Sequence, residues 1–290
     1  MKRILSLIMC VLILTGCAGS TPVPTTAGTT EVLIPETTVP ETTVPETTIP
    51  ETTAPVETTV PESEPAVTEP PLEIELGDHL RRFDSSFYGN YINYYLFLPE
   101  NPTENMPLMV YLHGDSEVNK TEELLDLGIL KQIDSIYGND FPFILLVPCT
   151  REFSWTKDWI AYMTKALIDE IATQCVSDPE HIILTGHSRG AIGTWFLADR
   201  YGDFFSAAVP ASHYSAYPMG YGRCAEVPVW AFVGDADVYD SECIPKIQAD
   251  AEAVIADGGT VTVTVLEGRV HLDTETDSYT KETFDWMLAQ

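Results

Sequence analysis

The chain has 290 residues, of which 44 are acidic and 15 are basic, and its formal net charge is −29 at neutral pH. Residues 18–75 hold eleven acidic and no basic residues, whereas residues 76–290 hold 33 acidic and 13 basic residues. This charge argues against nucleic acid or anionic lipid as a partner, because both would be repelled. A neutral substrate fits the charge, and so does the plain solubility of an exposed surface.

Residues 1–17 are predicted to be a targeting segment. Lys2 and Arg3 precede an apolar run, residues 4–14, that is too short to span a bilayer. The run is followed by Cys17, in a Leu-Thr-Gly-Cys sequence that resembles the bacterial lipobox, and the resemblance implies a lipid on Cys17. The alternative is a plain signal peptide with an incidental cysteine. With the lipid, the protein would be anchored to the outer face of the bacterial cell membrane without spanning it.

Residues 18–71 are predicted to form a disordered linker. Pro-Glu-Thr-Thr followed by an apolar residue recurs four times in residues 35–54. Repeated prolines and carboxylates favour an extended chain over a packed core, with a reach on the order of 150 Å. The remaining residues, 72–290, are long enough for one domain with a substantial core.

Apolar runs alternate with amphipathic patterns through this domain. The predicted strands are residues 91–98, 108–112, 143–147, 182–184, 205–209, 229–233 and 261–266, with the first at the sheet edge. The predicted helices are residues 122–137, 157–174, 191–201, 242–257 and 279–288. The middle strands are apolar throughout, which is typical of strands covered by helices on both faces. We therefore expect an α/β domain with a doubly wound, mostly parallel sheet.

Ser188 is the candidate nucleophile. It lies in Gly-His-Ser-Arg-Gly, which matches G-x-S-x-G between a predicted strand and a predicted helix, the context that a nucleophile elbow requires. Gly186 and Gly190 lack the Cβ atoms that would collide with neighbouring backbone in such a turn. The alternative is an ordinary glycine turn that carries a solvated serine.

A serine hydroxyl needs a base to take its proton. His271 follows the last predicted strand, where the chain order nucleophile, acid, base of such a site places the base. The alternative is a surface-loop histidine. The acid that orients the base should follow the preceding strand, where three carboxylates compete. Asp237 is preferred because it lies where the turn has left the strand, and Asp240 and Asp235 are the alternatives.

Backbone N–H groups are the candidates for an oxyanion hole. One donor is expected from Arg189, the residue after the nucleophile, and the second from Gly114 or Asp115 after an early strand. A carboxylate pointing at the oxyanion would oppose its charge, so we expect Asp115 to face solvent. His113 is expected to be a packed structural residue.

These motifs together resemble an α/β-hydrolase of the group that holds feruloyl and acetylxylan esterases, polyhydroxybutyrate depolymerases and phospholipase/carboxylesterase relatives, the last also called predicted peptidases. The resemblance spans nearly all of residues 90–290, and its most specific pieces are Val110-Tyr-Leu-His-Gly114, Leu184-Thr-Gly-His-Ser-Arg-Gly190 and Val227-Pro-Val-Trp-Ala-Phe232. It implies that Ser188, Asp237 and His271 are nucleophile, acid and base. Trp155, Trp159 and Tyr214 are candidates for the wall of a pocket for the acyl group or sugar, and packing within surface loops is the alternative for each.

The expected function is that of a serine esterase acting on acetyl or feruloyl esters of plant polysaccharides, with no cofactor and no metal. A peptidase or a lipid or polyester hydrolase of the same fold is the first alternative, and a degenerate surface binding module is the second. Cys149, Cys175, Cys224 and Cys243 allow three disulfide pairings, and free buried thiols fit the sequence equally well.

Overall fold

The computed structural model describes residues 79–84, 91–152, 154–175, 177–216, 220, 222–239 and 241–290. The targeting segment, Cys17 and the linker 18–71 lie outside these residues, so the statements made on them stay predictions. In the described part, no helix is both long enough and apolar enough to cross a membrane.

An eight-stranded sheet runs through the domain in the order β1-β2-β4-β3-β5-β6-β7-β8. Its strands are β1 His79–Asp84, β2 Tyr91–Phe97, β3 Met106–Leu112, β4 Ile144–Cys149, β5 Ser177–His187, β6 Ala207–Ala211, β7 Val229–Gly234 and β8 Val261–Leu266. The neighbouring strands β4, β3, β5, β6, β7 and β8 pair in parallel. Strand β2 pairs antiparallel with both β1 and β4. The predicted doubly wound, mostly parallel sheet is confirmed.

Helices cover both faces of this sheet. They are α1 Gly128–Tyr137, α2 Asp158–Gln174, α3 Arg189–Tyr201, α4 Cys243–Ala256, α5 Thr274–Asp277 and α6 Lys281–Met287, with 3-10 turns at Thr121–Asp126, Gly202–Phe204 and Cys224–Glu226. One buried cluster lies under α2, α3 and α4, and a second lies under α1 and α6. Because side chains alternate along a strand, Val110 enters the first cluster and its neighbour Tyr111 the second.

Three differences from the sequence prediction concern the sheet edge, the first helix and the last helix. The strand 91–98 is not at the edge, because β1, which was not predicted, pairs with it in full register. The predicted helix 122–137 is a 3-10 turn followed by α1. The predicted helix 279–288 begins only at Lys281, because the Thr280 side chain caps it by accepting from the Thr283 N–H.

Candidate active site

Ser188 occupies the turn between the end of β5 and the start of α3. Its backbone has φ 56° and ψ −117°, in the left-handed half of conformational space that non-glycine residues rarely adopt. The Ser188 N–H donates to the carbonyl of Ala211 at 2.9 Å, which fixes the turn to β6. A Cβ on Gly190 would lie 1.8 Å from the Leu112 carbonyl oxygen, so only glycine fits there. The tight packing therefore holds the serine in its strained conformation.

His271 lies on the loop between β8 and α5 and reaches Ser188 across 83 residues of sequence. Its Nε2 atom is 2.8 Å from Oγ of Ser188. Its Nδ1 atom is 2.6 Å from Oδ2 of Asp237. A carboxylate can only accept, so Nδ1 carries the proton and Nε2 accepts from the serine hydroxyl. This arrangement leaves the imidazole nitrogen next to the hydroxyl free to take its proton.

Asp237 follows β7, and its side chain is only 3 % exposed. Its other oxygen, Oδ1, accepts from the N–H of Tyr239 at 3.0 Å. The two hydrogen bonds hold the carboxylate next to Nδ1 of His271. Asp235, one of the alternatives, instead accepts from the Gly268 N–H at 2.6 Å and so holds the β8 loop. Asp240 lies outside the described residues.

His187 is a part of the site that sequence reasoning missed. It is fully buried, and its ring centre lies 4.9 Å from that of His271. Its Nε2–H donates to the His271 backbone carbonyl at 2.9 Å, and Thr274 Oγ1 donates to the same carbonyl at 2.6 Å. These bonds hold the histidine loop in place. The one signal in the sequence is the position of His187 directly before the candidate nucleophile, and that position does not indicate the bond to His271.

Burial, with a smaller effect of the neighbouring His271, lowers the pKa of His187 from 6.5 to about 3. The folded state therefore keeps His187 neutral where the unfolded chain would bind a proton. Stability present above pH 6.5 is lost as the pH falls toward 3, by at most about 1.4 kcal/mol per pH unit.

We expect His187→Gln, which keeps an N–H donor for the His271 carbonyl, to weaken this pH dependence. Between pH 7.5 and 5.0 the unfolding free energy of the wild type should fall by about 2 kcal/mol more than that of the variant. Urea unfolding at both pH values measures the difference. Equal pH dependence in the two proteins would contradict the assignment.

The oxyanion-hole candidates lie beside Ser188. A methyl group on Gly114 would be 3.6 Å from Cβ of Ser188, so the Gly114 backbone borders the nucleophile. The Asp115 side chain is half exposed and forms an ion pair with the Arg189 guanidinium, in which Nη2 donates to Oδ2 at 2.7 Å and Nε contacts Oδ1. The side chains of the two candidate donor residues are thus joined to each other. Arg189 thus neutralises the Asp115 carboxylate, whose charge would otherwise oppose that of the oxyanion.

We expect this ion pair to position the loop and to shield the oxyanion from the Asp115 charge. Arg189→Met leaves that charge unpaired near the reacting centre, so it should lower kcat/KM more than Asp115→Asn does. The double variant should recover part of the loss, with a coupling energy of about 0.2–1 kcal/mol. Steady-state kinetics of the four proteins measure it, and a double variant no better than Arg189→Met would argue against the shielding role.

His113 is structural, as the sequence analysis expected. It is fully buried, its Nδ1–H donates to the Gly114 carbonyl at 2.7 Å, and its Nε2 accepts from the Thr150 N–H at 3.1 Å. Burial lowers its pKa, so it stays neutral. His113 therefore ties the Gly114 loop to the end of β4.

A pocket of about 250 Å³ opens over the candidate triad. Its lining residues include Ile192, Ser212, His213, Tyr239 and Cys243. Residues 212–228, between β6 and β7, hold only one 3-10 turn in their described part. The described part of this segment thus contains no helical lid over the pocket.

The three aromatic residues considered as pocket walls are not among the residues that line the pocket over Ser188. Trp155 is 1 % exposed and donates from Nε1 to the His113 carbonyl at 3.0 Å, beneath the site. Trp159 lines a separate hollow near Tyr91. Tyr214 packs against the core, and its hydroxyl accepts from Lys246 Nζ at 3.2 Å. The sequence positions of these three residues relative to Ser188 do not predict these contacts.

No disulfide joins Cys149, Cys175, Cys224 and Cys243. Burial raises the pKa of Cys149 to about 11 and that of Cys224 to about 12, which keeps both thiols protonated. Within the described ranges, no three His, Cys, Asp or Glu side chains are grouped as a metal site requires.

Comparison with protein families identifies the class of the chain. Residues 85–241 match the Esterase family, described as "Putative esterase". The match spans more than half of the 290 residues, so the chain belongs to this family. It is a carboxylic ester hydrolase. Comparison with the curated proteins found no match.

Solved structures share the fold. A thermostable esterase superposes with a TM-score of 0.63 at 22% identity, over 73% of this chain and 63% of that one. The S-formylglutathione hydrolase FrmB from Staphylococcus aureus gives 0.57 at 14% identity, over 74% and 100% of the two chains. A ferulic acid esterase gives 0.55 at 14% identity, over 73% and 97%. The chain spans less than two thirds of the thermostable esterase, and these likenesses establish the α/β-hydrolase fold.

Proposed function

We propose that Ser188, His271 and Asp237 are the catalytic triad with which this esterase removes acetyl or feruloyl groups from plant polysaccharides. The observation that carries the proposal is the unbroken hydrogen-bond chain from Ser188 Oγ through His271 to Asp237, at 2.8 and 2.6 Å. These three side chains line the pocket described above, and the turn that carries Ser188 is strained.

In the first half of the reaction, Oγ of Ser188 attacks the ester carbonyl carbon while His271 Nε2 takes the hydroxyl proton. The carbonyl oxygen becomes an oxyanion, which the N–H of Arg189 and that of Gly114 or Asp115 stabilise. The carbon–oxygen bond to the alcohol then breaks. His271 Nε2–H donates its proton to the departing oxygen, and the acyl group stays on Ser188.

In the second half, water replaces the alcohol. His271 Nε2 takes a proton from the water, whose oxygen attacks the acyl carbon, and the same N–H groups stabilise the second oxyanion. The bond to Ser188 Oγ breaks, and Oγ recovers its proton from His271. Asp237 keeps the imidazole in the correct tautomer and stabilises the imidazolium throughout without taking a proton.

Three observations support a neutral polysaccharide ester as the substrate. The pocket has no helical lid in its described part, so a group attached to a polymer has room to reach Ser188. The excess of acidic residues disfavours anionic substrates. The motif pattern resembles feruloyl and acetylxylan esterases, and a ferulic acid esterase shares the fold. The resemblance and the shared fold are arguments by association.

We also propose that a lipid on Cys17 anchors the enzyme to the outer face of the cell membrane and that residues 18–71 extend the domain outward. The support is the lipobox-like sequence and the proline-rich composition. Cys17→Ser should move the protein from the membrane fraction to the soluble fraction. A variant that stays in the membrane fraction would contradict the anchor.

A substrate panel tests the proposed function. The full chain is incubated with acetylated xylan, a feruloylated arabinoxylan, a peptide, a phospholipid and polyhydroxybutyrate, with Ser188→Ala as the blank. We expect release of acetate or ferulate that depends on Ser188. Cleavage of only the peptide, the phospholipid or the polyester would replace the substrate assignment. A folded protein that hydrolyses none of the five would support the surface binding module instead.

A further inference from the structure

Exposed apolar side chains cluster around the candidate base. In the described part of the chain, eight large apolar side chains are exposed, and four of them lie on the two loops that carry Asp237 and His271. These four are Val238, Tyr239, Val270 and Leu272, with 86 %, 75 %, 43 % and 62 % of their surface exposed. We call them the apolar rim. A cluster of this kind beside a pocket is typical of a binding surface.

The rim is held in a fixed place relative to the catalytic atoms. The ring of Tyr239 lies 4.7 Å from the ring of His271 and lines the pocket over Ser188. The Tyr239 N–H is bonded to Asp237. Val270 and Leu272 are the two sequence neighbours of His271, whose carbonyl accepts from His187 and Thr274. A ligand that covers Tyr239 would therefore also lie beside the His271 ring.

The reaction chemistry of the triad indicates which part of a bound ester would contact the apolar rim. The carbon of the tetrahedral intermediate bears Ser188 Oγ, the oxyanion, the leaving oxygen and the acyl group. The oxyanion faces the N–H of Arg189 and that of Gly114 or Asp115. The leaving oxygen must face His271 Nε2, because that atom supplies its proton. The group attached to the leaving oxygen, which is the alcohol part of the ester, thus projects toward His271 and the rim.

We propose that the apolar rim is the alcohol subsite of this enzyme and that it selects neutral esters whose alcohol has an apolar face about one ring in size. The inference rests on the proposed function, because it assigns the leaving group from the role of His271. Covering a ring-sized face on the rim removes roughly 60 Å² of apolar surface from water, which is equivalent to about a tenfold preference over methanol as the alcohol.

The test compares two acetate esters that share the acyl group, methyl acetate and benzyl acetate, using the full chain. We expect Tyr239→Ser and Leu272→Ser each to lower the ratio of kcat/KM for benzyl over methyl acetate severalfold, toward about tenfold when combined. Tyr162→Ser and Leu125→Ser are the matched controls, because these side chains are 52 % and 43 % exposed and neither lines the pocket over Ser188. The controls should keep the wild-type ratio.

Two results would overturn the subsite. One is a benzyl-to-methyl ratio in the rim variants equal to that in the controls. The other is a change confined to the acyl group, seen when methyl acetate is compared with methyl cinnamate. Leu272→Ser keeps the assay decisive if Tyr239→Ser disturbs His271. Failure of the triad itself would be recognised separately, as hydrolysis of methyl acetate that persists in Ser188→Ala.

Discussion

Ser188→Ala is expected to lower kcat for a carboxylic ester by about 10⁵- to 10⁶-fold without loss of the fold. The variant removes only Oγ, and the hydrogen bond from the residue 188 N–H to Ala211 and the packing of Gly190 remain. Among the described residues, Ser188 Oγ is the hydroxyl that is hydrogen-bonded to His271 Nε2. The measurement is steady-state hydrolysis of an activated acetate, with circular dichroism and urea unfolding as checks of the fold.

Ser206→Ala is the matched control for this substitution. Its Oγ donates to the Ile182 carbonyl in the sheet, away from His271. It should keep wild-type kcat. If Ser188→Ala retained more than about one hundredth of the activity, Ser188 could not be the nucleophile, since loss of that group leaves only binding and oxyanion stabilisation.

Asp237→Asn is expected to lower kcat by about 10⁴-fold with little change in KM. Asparagine fills the same space, but its amide can donate to Nδ1 of His271, and the proton then shifts to Nε2. The histidine would present a proton to the Ser188 hydroxyl where the reaction needs a lone pair. Kinetics with one ester at saturating concentration measure the loss.

Asp235→Asn separates the two carboxylates that are described on this loop. Asp235 bonds the Gly268 N–H and makes no hydrogen bond to His271 in the described structure, so its substitution should change kcat severalfold at most. Equal losses in the two variants would show that the loop as a whole matters and that Asp237 has no special role. A larger loss in Asp235→Asn would move the acid to that residue.

The features that the sequence predicts well are those set by local pattern or chain order. The apolar runs at 108–112 and 182–184 lie inside β3 and β5, because buried parallel strands need apolar side chains on both faces. The collisions of a Cβ at Gly186 and Gly190 with neighbouring backbone are as the motif implied. The position of His271 after the last strand follows from the same chain order.

The features that the sequence does not predict depend on contacts between distant residues. Trp155 is placed under the site because Gly193 leaves room for it; a Cβ at residue 193 would lie 2.6 Å from that of Trp155. The bond of His187 to the His271 carbonyl joins positions 84 residues apart. The pairing of Arg189 with Asp115 spans 74 residues and offsets the charge of a carboxylate that was expected only to face solvent. Periodicity carries no information on such pairs.

The most direct test of the central claim is the intact mass of the protein after treatment with a fluorophosphonate probe, which reacts with serines activated as nucleophiles. The hydrogen-bond chain from Ser188 to Asp237 predicts one added probe on the wild type and none on Ser188→Ala or His271→Ala. A folded wild type that stays unlabelled, or a Ser188→Ala variant that still gains one probe, would contradict the account.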